Sequence, residues 1–142
     1  MSKLLLVDDD PNTLASLARA FRLAGHEATV CDYADRALEL ARSQRFDLIL
    51  SDVVMPGKDG IQLLAELRAA GIQTPVVMIS GQATVEMAVK STRLGAVDFL
   101  EKPLSTEKLL LTVENVVKLS RLETENKQLK RKVGRHEMVW KS

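Results

Sequence analysis

The chain has 142 residues, 46% hydrophobic and 27% charged, with a formal net charge of +1. That length fits one domain with a substantial buried core, and no apolar stretch is long enough to cross a membrane. The single cysteine, Cys31, excludes an intramolecular disulfide and a cysteine metal cluster.

The chain opens Met1-Ser2-Lys3 and runs directly into Leu4-Leu5-Leu6-Val7. This is a poor signal peptide, so a cytoplasmic location is the default expectation. The apolar run predicts a strand over about 3–8, ended by the carboxylates Asp8 and Asp9. Pro11 suits the opening turn of a helix over about 12–24. There Leu14, Leu17, Ala18 and Phe21 share one face. A second strand follows at about 27–31, and Cys31 at its end reads as a small core residue. A helix is expected at 34–43.

The next apolar run predicts a strand over about 46–51, with Asp52 just beyond it. A carboxylate ending a buried strand has no ordinary use in a core. A helix at 59–70 and a strand at 75–80 follow, the latter ended by Ser80. A helix at 83–93 and a strand at 96–100 complete the series, and Lys102 stands before Pro103. Gly25, Gly71 and Gly95 sit where helices end. Near-continuous apolar strands alternating with amphipathic helices predict an α/β fold with a doubly wound, five-stranded parallel sheet. In such a sheet Asp8, Asp9, Asp52, Ser80 and Lys102 meet at the carboxyl edge, where ligands bind.

Three clustered carboxylates repel one another and call for a cation. Oxygen donors without His or Cys point to Mg2+, which keeps several waters and takes one or two carboxylates with phosphate oxygens. A carboxylate can also act as a nucleophile and form an acyl phosphate. Lys102 and Ser80 are then suited to phosphoryl oxygens. Taken singly, the Asp8–Asp10 run is an ordinary solvated turn with a helix cap, Lys102 a surface charge and Ser80 a turn hydroxyl. Their occurrence at separate strand ends on one edge favours a site.

Asp8-Asp9, the run Asp52-Val53-Val54-Met55-Pro56-Gly57-Lys58-Asp59-Gly60, Ser80-Gly81 and Lys102-Pro103 together resemble the receiver domain of two-component response regulators. The resemblance covers about residues 3–119. It implies a flavodoxin-like sheet of order 2-1-3-4-5 and a cis bond at Lys102–Pro103. It makes Asp52 the phosphoacceptor, with the phosphoryl group supplied by a sensor histidine kinase. Asp8, Asp9, Asp52 and the Val54 backbone carbonyl would hold Mg2+. Lys102 would bind phosphate, Ser80 would be the switch hydroxyl, and Phe99 falls at the family's switch aromatic. Val54 and Gln82 are at positions that tune phosphoryl lifetime. The domain is thus expected to be regulatory, catalysing only its own phosphotransfer and dephosphorylation. A phosphohydrolase of the haloacid dehalogenase type also uses Asp, Mg2+ and Lys, but it wants an acid two residues after its nucleophile, where this chain has Val54. A phosphate-independent adaptor is the other reading.

Residues 1–104 carry 11 Lys/Arg against 14 Asp/Glu, and residues 105–142 carry 9 against 5. From Ser105 to Val133 there is neither proline nor glycine, which predicts one helix of roughly 40 Å. With Leu119 at heptad position a, Leu122 is d, Asn126 a, Leu129 d and Val133 a. A lone Asn at a is a known device for two-stranded register. The g-to-e′ pairs Lys118–Glu123, Glu125–Lys130 and Lys132–Glu137 are all of opposite sign. A receiver over 1–119 and a dimerising linker helix over 120–142 are therefore expected. The alternative is a solvated helix whose leucines pack on the body. Mixed charge signs argue against a nucleic-acid arm. The tail also resembles the linker of NtrC-type, sigma-54-dependent transcriptional activators, with Trp140 where their glycine stands. That resemblance implies an attached ATPase and DNA-binding domain in a longer protein.

Overall fold

The computed structural model describes residues 2–55, 57–82, 84–102 and 105–133, with side chains as far as Ser120. Strands β1 (Lys3–Val7), β2 (Glu27–Cys31), β3 (Leu48–Asp52), β4 (Val76–Ser80) and β5 (Asp98–Glu101) alternate with helices α1 (Pro11–Leu23), α2 (Ala34–Ser43), α3 (Gly60–Ala69), α4 (Val85–Arg93) and α5 (Thr106–Val133). All strand pairs are parallel, in the order β2-β1-β3-β4-β5. The α/β reading and the order 2-1-3-4-5 both hold.

The period-2 geometry of a strand sends alternate side chains to opposite faces, and β1 shows the consequence. Leu5 and Val7 join a core with Ile49, Val76, Met78 and the apolar sides of α2 and α3. Leu4 and Leu6 join a second core with Leu50, Val77, Ile79, Phe21 of α1 and Val113 of α5. The central strands β1, β3 and β4 are therefore buried on both faces, which is why they are apolar runs and not alternating ones, while the edge strands β2 and β5 are partly exposed.

The direction in which strands are added to the sheet reverses at β1. The crossover from β1 to β2 runs through α1 on one face, and the crossover from β2 to β3 runs through α2 on the other. The carboxyl ends of β1 and β3 flank this switch point, where the two helix layers part and leave a crevice.

Three elements start two residues later than the sequence reading, β3 at Leu48, α4 at Val85 and β5 at Asp98, and the other bounds agree to within one residue. The third strand begins at Leu48 and includes Asp52. Asp47 is drawn into a turn because its N–H donates to the Lys3 carbonyl (2.7 Å) and its carboxylate accepts the Lys3 N–H (2.7 Å). The fifth strand begins at Asp98, after Val97 donates its N–H to the Val76 carbonyl (2.9 Å).

Helix α3 is anchored at both ends. Asp59 and Gln62 form a reciprocal capping box at its start. Near its end the Arg68 guanidinium donates to the carbonyls of Ile72 (2.8 Å), Thr74 (3.0 Å) and Gly95 (3.2 Å). One side chain thus fixes both the approach to β4 and the turn before β5. Helix α4 is held more lightly, since its only fully buried residue is Ser91, whose hydroxyl has no partner. Cys31 is buried and its thiol donates to the Tyr33 carbonyl (3.1 Å), while burial raises its pKa. This is the core cysteine expected.

Helix α5 runs for 28 residues. Leu109, Val113 and Val117 seal it to the second core, whereas Leu119 is 59% exposed. The remaining expected dimerisation residues, Leu122, Asn126, Leu129 and Val133, lie outside the residues with described side chains, and Pro103 with its expected cis bond lies outside the described residues. No described helix is long and apolar enough to cross a membrane.

Candidate functional site

β1 and β3 are adjacent and in register, with Val7 opposite Ser51. The next residue on each chain is therefore an aspartate at the carboxyl edge. Asp8 and Asp52 are 4% and 8% exposed. Asp9 lies on the solvent side, and one oxygen from each of Asp8, Asp9 and Asp52 falls within a mutual 4.8 Å.

Backbone contacts hold these carboxylates in place. The Asp8 N–H donates to the Cys31 carbonyl (3.1 Å), and Asp8 Oδ1 accepts the Asp10 N–H (3.0 Å). Asp10 in turn caps α1, its side chain accepting from the Asn12 N–H (3.0 Å) and the Thr13 hydroxyl (2.9 Å). Asp52 Oδ1 lies 3.4 Å from the Val54 N–H, a long contact.

Lys102 reaches the pair from the far side of the crevice. Its Nζ is 3.1 Å from Asp8 Oδ2 and 3.2 Å from Asp52 Oδ2. The Lys102 N–H donates to the Ser80 carbonyl (2.8 Å), so the end of β4 fixes where the lysine departs. Ser80 is completely buried, and its hydroxyl accepts the Gln82 N–H (3.1 Å).

One ammonium faces three carboxylates, so negative charge is in excess. Burial is the main force raising the Asp52 pKa, followed by repulsion from Asp8; Lys102 opposes both. Burial also works against the Lys102 charge, but its hydrogen bond to Asp8 and the attraction of Asp52 and Asp8 outweigh it and raise that pKa. Both shifts favour added positive charge at one place. An all-oxygen donor set with surplus negative charge suits a hard divalent cation.

The structure therefore brings together Asp8, Asp9, Asp52 and Lys102 and sets Ser80 at the neighbouring strand end. Val54, 52% exposed, stands just outside. Phe99 is partly buried against the core beneath α2, α3 and α4.

One further residue controls the site's shape. Gly60 opens α3 where a Cβ would overlap the Asp52 carbonyl oxygen and meet Met78 Cε at 2.8 Å. Its N–H donates to the Val53 carbonyl (2.8 Å). Only glycine lets α3 approach the end of β3 this closely. The sequence offered no signal for that beyond the glycine's place after Asp59.

The receiver domain model of response regulators matches residues 4–114. The C4-dicarboxylate transport transcriptional regulatory protein DctD of Pseudomonas aeruginosa is 37% identical over 139 residues, covering 96% of this chain and 30% of that protein. The nitrogen assimilation regulatory protein NtrX of Azorhizobium caulinodans is 35% identical over 141 residues, covering 98% of this chain and 31% of that protein. Among solved structures, NtrX from Brucella abortus superposes with a TM-score of 0.86 at 35% identity, covering 94% of this chain and 31% of that one. The Francisella response regulator 1452 receiver domain superposes at 0.80 with 32% identity, covering 84% and 99%. The chain spans about a third of the length of the two curated relatives. With a family model matched over most of its length, the chain belongs to the response regulator receiver domains.

Proposed function

We propose that Asp52 is the phosphoacceptor of this receiver. The observation that carries the reading is a buried carboxylate at the sheet's switch point, paired with a lysine and flanked by two more carboxylates. In the transfer, an Asp52 carboxylate oxygen forms a bond to phosphorus as the N–P bond of a kinase phosphohistidine breaks. The electron pair leaves with the imidazole. Asp8, Asp9, Asp52 and the Val54 backbone carbonyl would hold Mg2+. When bound, that ion supplies charge neutralisation for the phosphoryl oxygens.

The protein's own residues do the rest. Lys102, already placed between Asp8 and Asp52, exchanges a carboxylate oxygen for a phosphoryl oxygen as the charge on Asp52 is converted. Ser80 gives up its contact with the Gln82 N–H and donates its hydroxyl to the phosphoryl group. Phe99 then repacks, and the surface formed by α4, β5 and the first turns of α5 shifts between two packings. The lone buried serine under α4 supports an element that is lightly held.

Incubation with Mg2+ and acetyl phosphate is expected to add one phosphoryl group by intact mass. Chelation of the metal is expected to suppress the adduct. Addition of two or more groups, or uptake indifferent to chelation, contradicts the reading.

We also propose that the receiver body over 1–119 is followed by a dimerising linker over 120–142, whose helical part would form a parallel two-stranded coiled coil. Exposed Leu119 begins its apolar stripe. So short a coil is marginal without help from the body. Sedimentation with and without residues 120–142 tests this: the full chain is expected to dimerise and the truncated one to weaken or lose dimerisation. A monomer at high concentration in both phosphorylation states contradicts it. By the tail's resemblance to NtrC-type linkers, we read this receiver as one that would be coupled to ATPase and DNA-binding domains of the sigma-54-dependent kind, in the cytoplasm.

A further inference from the structure

The loop from Val53 to Asp59 carries the Val54 carbonyl and leads from Asp52 into α3. Its two ends are well tied. Val53 donates its N–H to the Ile79 carbonyl (2.9 Å), and Gly60 closes back onto the Val53 carbonyl (2.8 Å). Met55 is buried in the core beneath. The outer bend is different. Gly57 takes a left-handed conformation with φ of 77°, and the residue after it, Lys58, reaches outward.

Lys58 Nζ sits 2.6 Å from Asp35 Oδ1, in the first turn of α2, and 2.8 Å from the Glu66 carboxylate on α3. Among the described residues, it supplies the loop's only ionic contacts to α2 and to the middle of α3. The hydrogen bond it donates to Asp35, then that to Glu66, raises the lysine's pKa, so the ammonium is retained at neutral pH. One cation thereby joins the site loop to two of the helices covering that face of the sheet.

We propose that Lys58 is a positioning residue for the cation site: by pinning the outer bend of the 53–59 loop to Asp35 and Glu66, it holds the Val54 carbonyl in ligating position. This rests on the reading of Asp8, Asp9, Asp52 and Val54 as cation ligands. Lys58 touches none of them and acts through the loop. The Val54 N–H to Asp52 contact is long at 3.4 Å, so the loop has little to hold it against the carboxylate at its inner side. Slack at the outer bend therefore passes to Val54. Pairs this exposed add little to global stability, so their consequence is local geometry and not the fold.

Electrostatics and positioning predict opposite signs, which makes the idea testable. Removing a cation near a carboxylate cluster strengthens cation binding through space. Removing a clamp weakens it. Lys58→Met, Lys58→Arg and the unaltered chain are to be titrated with Mg2+ by calorimetry. Backbone hydrogen exchange of residues 53–60 is followed in parallel on the metal-free protein.

The expected result is about a threefold to tenfold loss of Mg2+ affinity in Lys58→Met. That is below the roughly 10–100-fold cost of losing a group bonded directly to a metal ligand. Faster exchange confined to the 53–60 segment and recovery of both properties in Lys58→Arg are also expected. Unchanged or tighter Mg2+ binding in Lys58→Met overturns the proposal, as does unaltered exchange in the segment. Absence of saturable Mg2+ binding in the unaltered chain overturns the ligand reading and, with it, the part of this proposal that concerns Mg2+. The exchange measurement still decides whether Lys58 holds the loop.

Discussion

Replacing Asp52 by asparagine is expected to abolish phosphoryl uptake and, in metal-free buffer, to raise the melting temperature. The stability gain follows from the direction of the Asp52 pKa. Burial first, and Asp8 second, raise it above the ordinary 3.8. A carboxyl group whose pKa is higher folded than unfolded favours the fold below the ordinary value. That contribution is lost as pH rises through the folded pKa. At neutral pH the ionised Asp52 is therefore a cost, which the amide removes. Lys102 also bonds Asp8 at 3.1 Å, a contact the variant is expected to retain. The gain should be on the order of 1–2 kcal/mol, in line with relieving a functional site of its strain. A change of that size moves a small domain's melting temperature by several degrees. Melting curves with chelator at neutral pH and near pH 4 check the sign, since the difference between the two proteins should shrink toward the acid end. A lower melting temperature for Asp52→Asn at neutral pH contradicts the electrostatic account.

The second large effect is structural. Gly60→Ala is expected to destabilise the fold by about 3 kcal/mol or more, because the added methyl meets backbone at the end of β3. Met78 Cε, 2.8 Å from that Cβ position, can swing aside. The Asp52 carbonyl oxygen cannot move without displacing the carboxylate of the same residue. Stability and site geometry are therefore lost together, and chemical denaturation beside a Mg2+ titration should show both. By contrast, a Cβ at Gly81 would meet only Lys102 Cδ at an ordinary 3.9 Å. Gly81→Ala should leave stability nearly unchanged, which makes it a control for glycine replacement at the site's rim.

Much of this arrangement was legible in the sequence, for a physical reason. In a parallel sheet each strand is apolar because it is covered on both faces, so a polar residue closing such a run marks the carboxyl edge. Asp8, Asp52, Ser80 and Lys102 announced themselves in that way, and the structure brings Asp8, Asp52 and Lys102 into contact. Strand order was a different matter. It depends on which face each crossover takes, and it came from the resemblance carried by the motifs and not from periodicity.

What the sequence concealed were contacts between segments remote in the chain. Phe46 and Asp47 extend the apolar run before β3, yet Asp47 is claimed by the Lys3 backbone, 44 residues away. Gly60 looks like any helix-opening glycine until the Asp52 carbonyl is seen against it. Arg68 reads as a surface charge on α3, but its guanidinium closes on three carbonyls from two turns. Lys58 reads as a motif residue in a loop, and its partners Asp35 and Glu66 lie on two separate helices. None of these pairings leaves a periodic signal, because each is set by tertiary approach.

The central claim is that Asp52, and no other side chain, receives the phosphoryl group. Borohydride reduction of the acetyl phosphate-treated protein tests it most directly, since it converts an aspartyl phosphate to homoserine at the modified position. Peptide mass analysis is predicted to find homoserine at position 52 alone, with Asp8 and Asp9 unaltered. Homoserine at either of those positions, or a phosphoryl group that survives reduction on a serine or histidine, would contradict the account.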